Sequence, residues 1–291
     1  MGLLFRDKEK VVDPIIHDEE ENFSISNGVH IINNCKNVSV CGSSIVLEAI
    51  NSSFIDICGK AVVQMVENCT IDSLSGKARI GLLKSGKIEK VSGKSKITTI
   101  NSCQIDYVCN KAKVGTMNDG FIRFIDDKAE LATMTKGKVM FVRGKARVVS
   151  LINGEVTGFT SQAELVTLLN GHITYCLDQS RIGTINNGKI GLIADNAEIS
   201  TLNKGKIEEM LGNSIISANM DGQVSVKGKR SLILYSPSLS EKRREEYKRQ
   251  KEEEKKAKEE LAKEEVTQVS IFDDKSIKMP KAKKSKKTED Q

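Results

Sequence analysis

The sequence repeats every 17 residues and scarcely breaks the rule. Positions 35, 52, 69, 86 and 103 hold Cys, Ser, Cys, Gly and Cys, and positions 120, 137, 154, 171, 188, 205 and 222 are all Gly. The residues just before them include Asn34, Asn51, Asn68, Asp119, Asn153, Asn170, Asn187 and Asp221. Asn-Gly and Asp-Gly favour turns because both residues tolerate a positive φ. Turns in such a register dictate one architectural unit per period.

The apolar residues keep the same beat. Ile71, Ile88, Ile105, Ile122, Val139 and Val156 form one column, and Leu74, Val91, Val108, Ile125, Val142 and Phe159 another. A small column (Ala61, Ala78, Ser95, Ala112, Ala129, Ala146) is followed by Val63, Ile80, Ile97, Val114, Leu131 and Val148, then by Val66, Leu83, Ile100, Met117, Met134 and Leu151. β-branched residues two and three apart, broken by frequent turns, specify short strands rather than helices. Identical columns require each copy to lie directly on the last, as parallel strands about 4.8 Å apart. The expected fold is therefore all-β, a parallel β-solenoid (β-helix) of about twelve coils, slender and triangular, in which stacking supplies the core. A narrow interior also explains why aromatics are only 4% of the chain and Trp is absent.

Four regions are expected. Residues 1–33 lack the repeat and carry Asp18, Glu19, Glu20 and Glu21, so they are read as a cap on the first coil's open edge. Residues 34–235 form the solenoid. Residues 236–266 begin with Pro237 and the capping pair Ser238 and Glu241, and their 10 Lys+Arg against 10 Glu at i,i+4 spacing predict a solvated single helix. Residues 267–291 are expected to be a disordered basic tail.

Other classes are excluded by what is missing. No uncharged apolar run of about 18 residues exists to span a membrane. Charge at Arg6 interrupts any secretory apolar segment, and seven cysteines without a C-x-x-C pair point to reduced thiols in the cytoplasm. Cys35, Cys69 and Cys103 are read as small turn residues, and His17, His30 and His172 as scattered, so no metal site is expected. There is no P-loop, dinucleotide fingerprint or Ser/His/Asp set, so neither catalysis nor a cofactor is expected. The neighbouring carboxylates Asp72, Glu89 and Asp106 lie on a face with no loop insertion to build a cleft.

Three features are candidate binding surfaces. Lys60, Lys77, Lys94, Lys111, Lys128 and Lys145 recur in six successive coils, flanked across the small column by Arg79, Lys96, Lys113 and Arg147. This stripe suits a polyanion such as nucleic acid, or serves as a soluble face. Residues 34–235 carry 25 Lys+Arg and 18 Asp+Glu, net +7, so the chain's +6 resides chiefly here. Tyr107, Phe124, Phe141 and Tyr175 share an outward column, which can stack bases, grip sugars or reinforce the sheet. Gln268, Ser270, Ile271 and Phe272 form an apolar cluster in the polar tail that suits peptide docking to a protein partner.

The units KARIGLLKSGKIEKVSG and NAEISTLNKGKIEEMLGNSII resemble the G-N-A/S-x-I repeat proteins of bacterial and phage genomes, over about residues 50–225. The coil length is similar to that of bactofilins, cytoskeletal proteins that polymerise end to end. Gln268 to Phe272 resembles the peptide by which bacterial replication and repair proteins bind the sliding clamp, with Ile271 where Leu is usual. Together these imply a non-enzymatic interaction or scaffold protein joined to a nucleic-acid or replication-associated partner. The alternatives are a filament or virion component and a carbohydrate-binding or carbohydrate-active β-helix.

Overall fold

The structure, a computed structural model, describes residues 13–236 and position 252. Within 13–236 the chain forms 24 strands from Ile15 to Tyr235, joined into one ladder whose pairings are parallel. The strands wind into a β-solenoid of about 13 coils. From Ile45 onward each residue pairs with the one 17 positions later, as Lys96 does with Lys113 and Lys113 with Glu130. A typical coil has two strands, for example Lys113–Met117 and Gly120–Ile125. In three coils the two strands run together as Val62–Leu74, Arg79–Val91 and Lys96–Val108.

Strand Lys113–Met117 buries Val114 and Met117 with two partly exposed residues between them, rather than alternating strictly. A flat strand turns successive side chains to opposite faces, so this doubled outward step marks a bend inside the strand. Between strands the chain turns through left-handed corners. One column has positive φ at Asn51, Asn68, Ser85 and Ser102, and a second has it at Gly59, Gly76, Gly93, Asn110 and Asp127. Gly120 shows why the column just after the first becomes glycine: with φ at 128° it lies against Cys103, and a Cβ there would strike the Cys103 carbonyl.

The inward columns are completely buried, including Ile80, Ile97, Ile122, Leu131 and Val148. Phe54 and Phe159 also fit inside as single rings, never on neighbouring coils. In the small column Ser replaces Ala without leaving a buried hydroxyl unpaired. Ser44, Ser95, Ser180 and Ser214 each donate to the carbonyl three residues earlier, at 2.8, 2.7, 2.6 and 2.7 Å.

Within the region 1–33, expected to cap the solenoid, the described part is built of strands. Ile15–Asp18, Ser24–Ile25 and Val29–Asn33 are strands of the same ladder. They escaped the period because Ile15 pairs with His30 and Val29 with Ile45, offsets of 15 and 16 residues. Register shifts after His30 and Val38 restore the offset of 17. At the other end Leu232–Tyr235 is the last strand and pairs with the strand from Ile215. Among the described residues no helix is long and apolar enough to cross a membrane. The helix expected over 236–266 and the tail 267–291, with Gln268, Ser270, Ile271 and Phe272, lie outside the described residues except Ser236, which follows the last strand, and Glu252, which is helical.

Candidate functional site

The six lysines of the stripe follow the second column of corners. The Lys77, Lys94 and Lys111 amides bond the carbonyls of Gly59, Gly76 and Gly93 at 2.7, 2.7 and 3.0 Å, and Lys128 and Lys145 continue the series on Asn110 and Asp127. The backbone thus fixes one lysine per coil in one line, and all six side chains are exposed. Among the described residues none of the six has an ion-pair partner. Lysines about 4.8 Å apart repel by about 0.9 kcal/mol per pair in water, less in salt. Further along, Gln162 and Gln179 occupy the column and bond each other at 3.2 Å, as do Asn196 and Asn213 at 3.3 Å. The same position can therefore hold a self-satisfied amide ladder, yet for six coils it holds unpaired cations.

The flanking column behaves differently. Lys113 pairs with Glu130 at 3.3 Å, Arg147 with Glu164 at 3.4 Å and Arg181 with Glu198 at 3.2 Å, because the residue one coil on is acidic. Arg79 and Lys96 stack on each other and on Lys113 with no acid between them. The net positive field is therefore carried by the first column and by the early part of the second. A shallow groove of 760 Å³ runs along the first, lined by Lys94, Lys111, Lys128 and Lys145 with Asn110 and Asp127. Neither neighbouring acid is idle: Asp127 accepts the Asn110 amide at 3.0 Å and Asp126 pairs with Arg143 at 2.6 Å.

Tyr107, Phe124 and Phe141 stack, with ring centroids 5.1 and 5.7 Å apart, and Tyr175 meets Phe141 tilted by 49° at 6.2 Å. Tyr175 reaches Phe141 across an intervening coil because that coil has Gly158, whose absent Cβ leaves room for the tyrosine ring. The Arg143 guanidinium lies 4.3 Å over the Phe124 ring. Only Tyr107 is well exposed, at 41%, so the rings chiefly cover one another.

The three carboxylates do not act as a set. Asp106 is buried, 3.1 Å from Lys87 and from the Gln104 amide, with Arg123 at 3.9 Å. Burial alone would raise its pKa, but the Gln104 and Lys87 hydrogen bonds and the Lys87 and Arg123 charges outweigh that and hold it below the ordinary range. It is an anchored anion, whereas Asp72 and Glu89 are exposed.

Two groupings were missed in sequence. Cys41 and Cys58 form a disulfide, correcting the expectation that all thiols are reduced; they lie one period apart with Cα atoms 4.6 Å apart. Their sulfurs and the Asp56 carboxylate lie within 4.8 Å of one another. Three of the other buried thiols point at backbone, while Cys176 lies 3.0 Å from the Ser180 hydroxyl. Cys35, Cys69 and Cys103 donate to the carbonyl two residues back, and burial raises Cys69 and Cys103 to about 11. In the irregular first coils His17 lies 3.1 Å from buried His30 and 3.0 Å from Glu20, a pairing that scattered sequence positions do not announce. No protein-family model, curated protein or solved structure matches the chain.

Asp106→Asn is expected to lower stability at neutral pH by about 1–3 kcal/mol. A depressed folded pKa contributes stability above the unfolded pKa, and that contribution is lost as pH falls through the folded value. The gap between the two proteins in urea unfolding should therefore close on acidification. A gap that stays constant with pH would contradict this role.

Proposed function

We propose that the chain is a non-enzymatic interaction protein whose lysine column binds the phosphates of nucleic acid. The carrying observation is the run of six exposed lysines on successive coils without an acidic partner among the described residues. Five steps of about 4.8 Å span about 24 Å, the length of about seven phosphates along one strand of B-DNA. A rigid column cannot read bases by itself, so the reading is affinity for backbone rather than for sequence. The neighbouring groove lets the apolar lysine stems lie flat while the ammonium groups face the ligand. The segment 236–266, expected from sequence to be helical, and the peptide Gln268 to Phe272 would then serve as a cytoplasmic tether to a replication-associated protein such as a sliding clamp.

In this reading, binding of DNA or RNA falls steeply with salt. Replacing Lys77, Lys94, Lys111 and Lys145 by Glu should abolish it, and single Lys→Ala changes should lower the log–log salt slope by about 0.7–0.9 for each phosphate no longer neutralised. Binding that ignores salt, or survives the fourfold change, contradicts the proposal.

A second reading, end-to-end assembly, is favoured by the two terminal coils. Ile15 and Ile16 are exposed at one end beside Asp18, Glu19, Glu20 and Glu21, and Leu232, Leu234 and Tyr235 at the other beside Lys227, Lys229 and Arg230. Opposite charges on strand edges that pair with no further described strand favour a head-to-tail contact, which does not close on itself. Light scattering should then show a mass that rises with concentration and falls with salt. A constant monomer mass would exclude it.

A further inference from the structure

Cys41 and Cys58 occupy adjacent coils of the corner column that elsewhere holds Ser75, Ser92 and Cys109. Their amides bond Ile25 and Val40, both at 2.8 Å, so the ladder holds both corners independently of the sulfurs. Asp56, two residues before Cys58, brings its carboxylate to the same place, and all three side chains are partly buried. Among the described residues Asp56 has no cationic partner, and its hydrogen bond is a long one of 3.4 Å from the Ser75 hydroxyl. Two sulfurs and an unneutralised carboxylate therefore converge on one point.

We propose that the reduced form of this corner binds a thiophilic divalent cation of the zinc class through Cys41 Sγ, Cys58 Sγ and the Asp56 carboxylate, with a fourth position open to water. Zn–S bonds of about 2.3 Å and Zn–O bonds of about 2.0–2.2 Å put tetrahedral ligands about 3.4–3.8 Å apart. That separation falls within the 4.8 Å limit that the three ligand atoms already meet. Two sulfurs favour such a cation over calcium or magnesium, which take oxygen. A dithiol reductant passes two electrons and two protons to the disulfide, giving two thiols and becoming a cyclic disulfide itself. The cation then displaces both thiol protons to solvent and bonds the two thiolates. The disulfide and the loaded site exclude each other, so oxidation releases the cation. The remaining thiols are unsuited: Cys176, for example, is pushed up to about 12 by burial, and Cys109 belongs to no such cluster among the described residues.

The test uses the full chain, reduced with a dithiol, freed of it without air and titrated with Co²⁺. One equivalent should give a thiolate-to-cobalt charge-transfer band that Zn²⁺ abolishes, and the unreduced chain should give none. Cys58→Ser should remove the band and Cys109→Ser should leave it unchanged. Asp56→Asn, which keeps both thiols, should weaken Co²⁺ binding by at least about tenfold. Far-UV circular dichroism establishes that each variant is folded. A reduced chain without the band, a band surviving Cys58→Ser, or unchanged affinity in Asp56→Asn would overturn the proposal.

Discussion

The backbone ladder between residues 17 apart is the interaction on which everything else rests. One coil has no core of its own; its Ile, Val, Leu and Ala columns become interior only when another coil closes each side. The parallel register is held by hydrogen bonds at every strand and at the corners, where Lys94 bonds Gly76 and Lys111 bonds Gly93. A slip of one residue would turn the buried columns outward, so burial and register enforce each other.

Because the ladder puts each residue beside its own equivalent, the surface has a simple chemistry. Where equivalents are amides they bond each other, as Asn170 and Asn187 do at 2.9 Å. Where they are rings they stack, and where acid follows base they pair, as with Lys113 and Glu130. Where two cysteines meet, they bond. The lysine column is the longest run in which equivalents repel, six coils with no ion-pair partner among the described residues, as Arg79 and Lys96 also lack one in the flanking column. That unrelieved repulsion is the physical basis for proposing an external anion as the complement of this face.

Much of this was legible once the period was seen. The inward columns read from sequence are the buried ones, and both the lysine line and the aromatic stack follow from adding 17. The Cys41–Cys58 pair obeyed the same arithmetic but was missed, because a C-x-x-C search looks along the chain and not up the stack. The first coils were illegible for a different reason. Offsets of 15 and 16 break the columns, so Ile15 to Asn33 looked like a segment without repeat, and the approach of His17 to His30 was hidden. The ion pairs holding Asp106 depend on side chains reaching across columns, which period alone does not specify.

The proposed binding face requires the lysines to lie on consecutive rungs of a single parallel ladder. Paired spin labels measure this directly, in a chain whose partly exposed Cys109 is replaced by Ser. Labels at positions 60 and 128, four coils apart, should lie about 19 Å apart, and labels at 60 and 145 about 24 Å, with narrow distributions. Broad distributions, or separations that do not grow by about 4.8 Å per coil, would contradict the stacked register and the binding surface built on it.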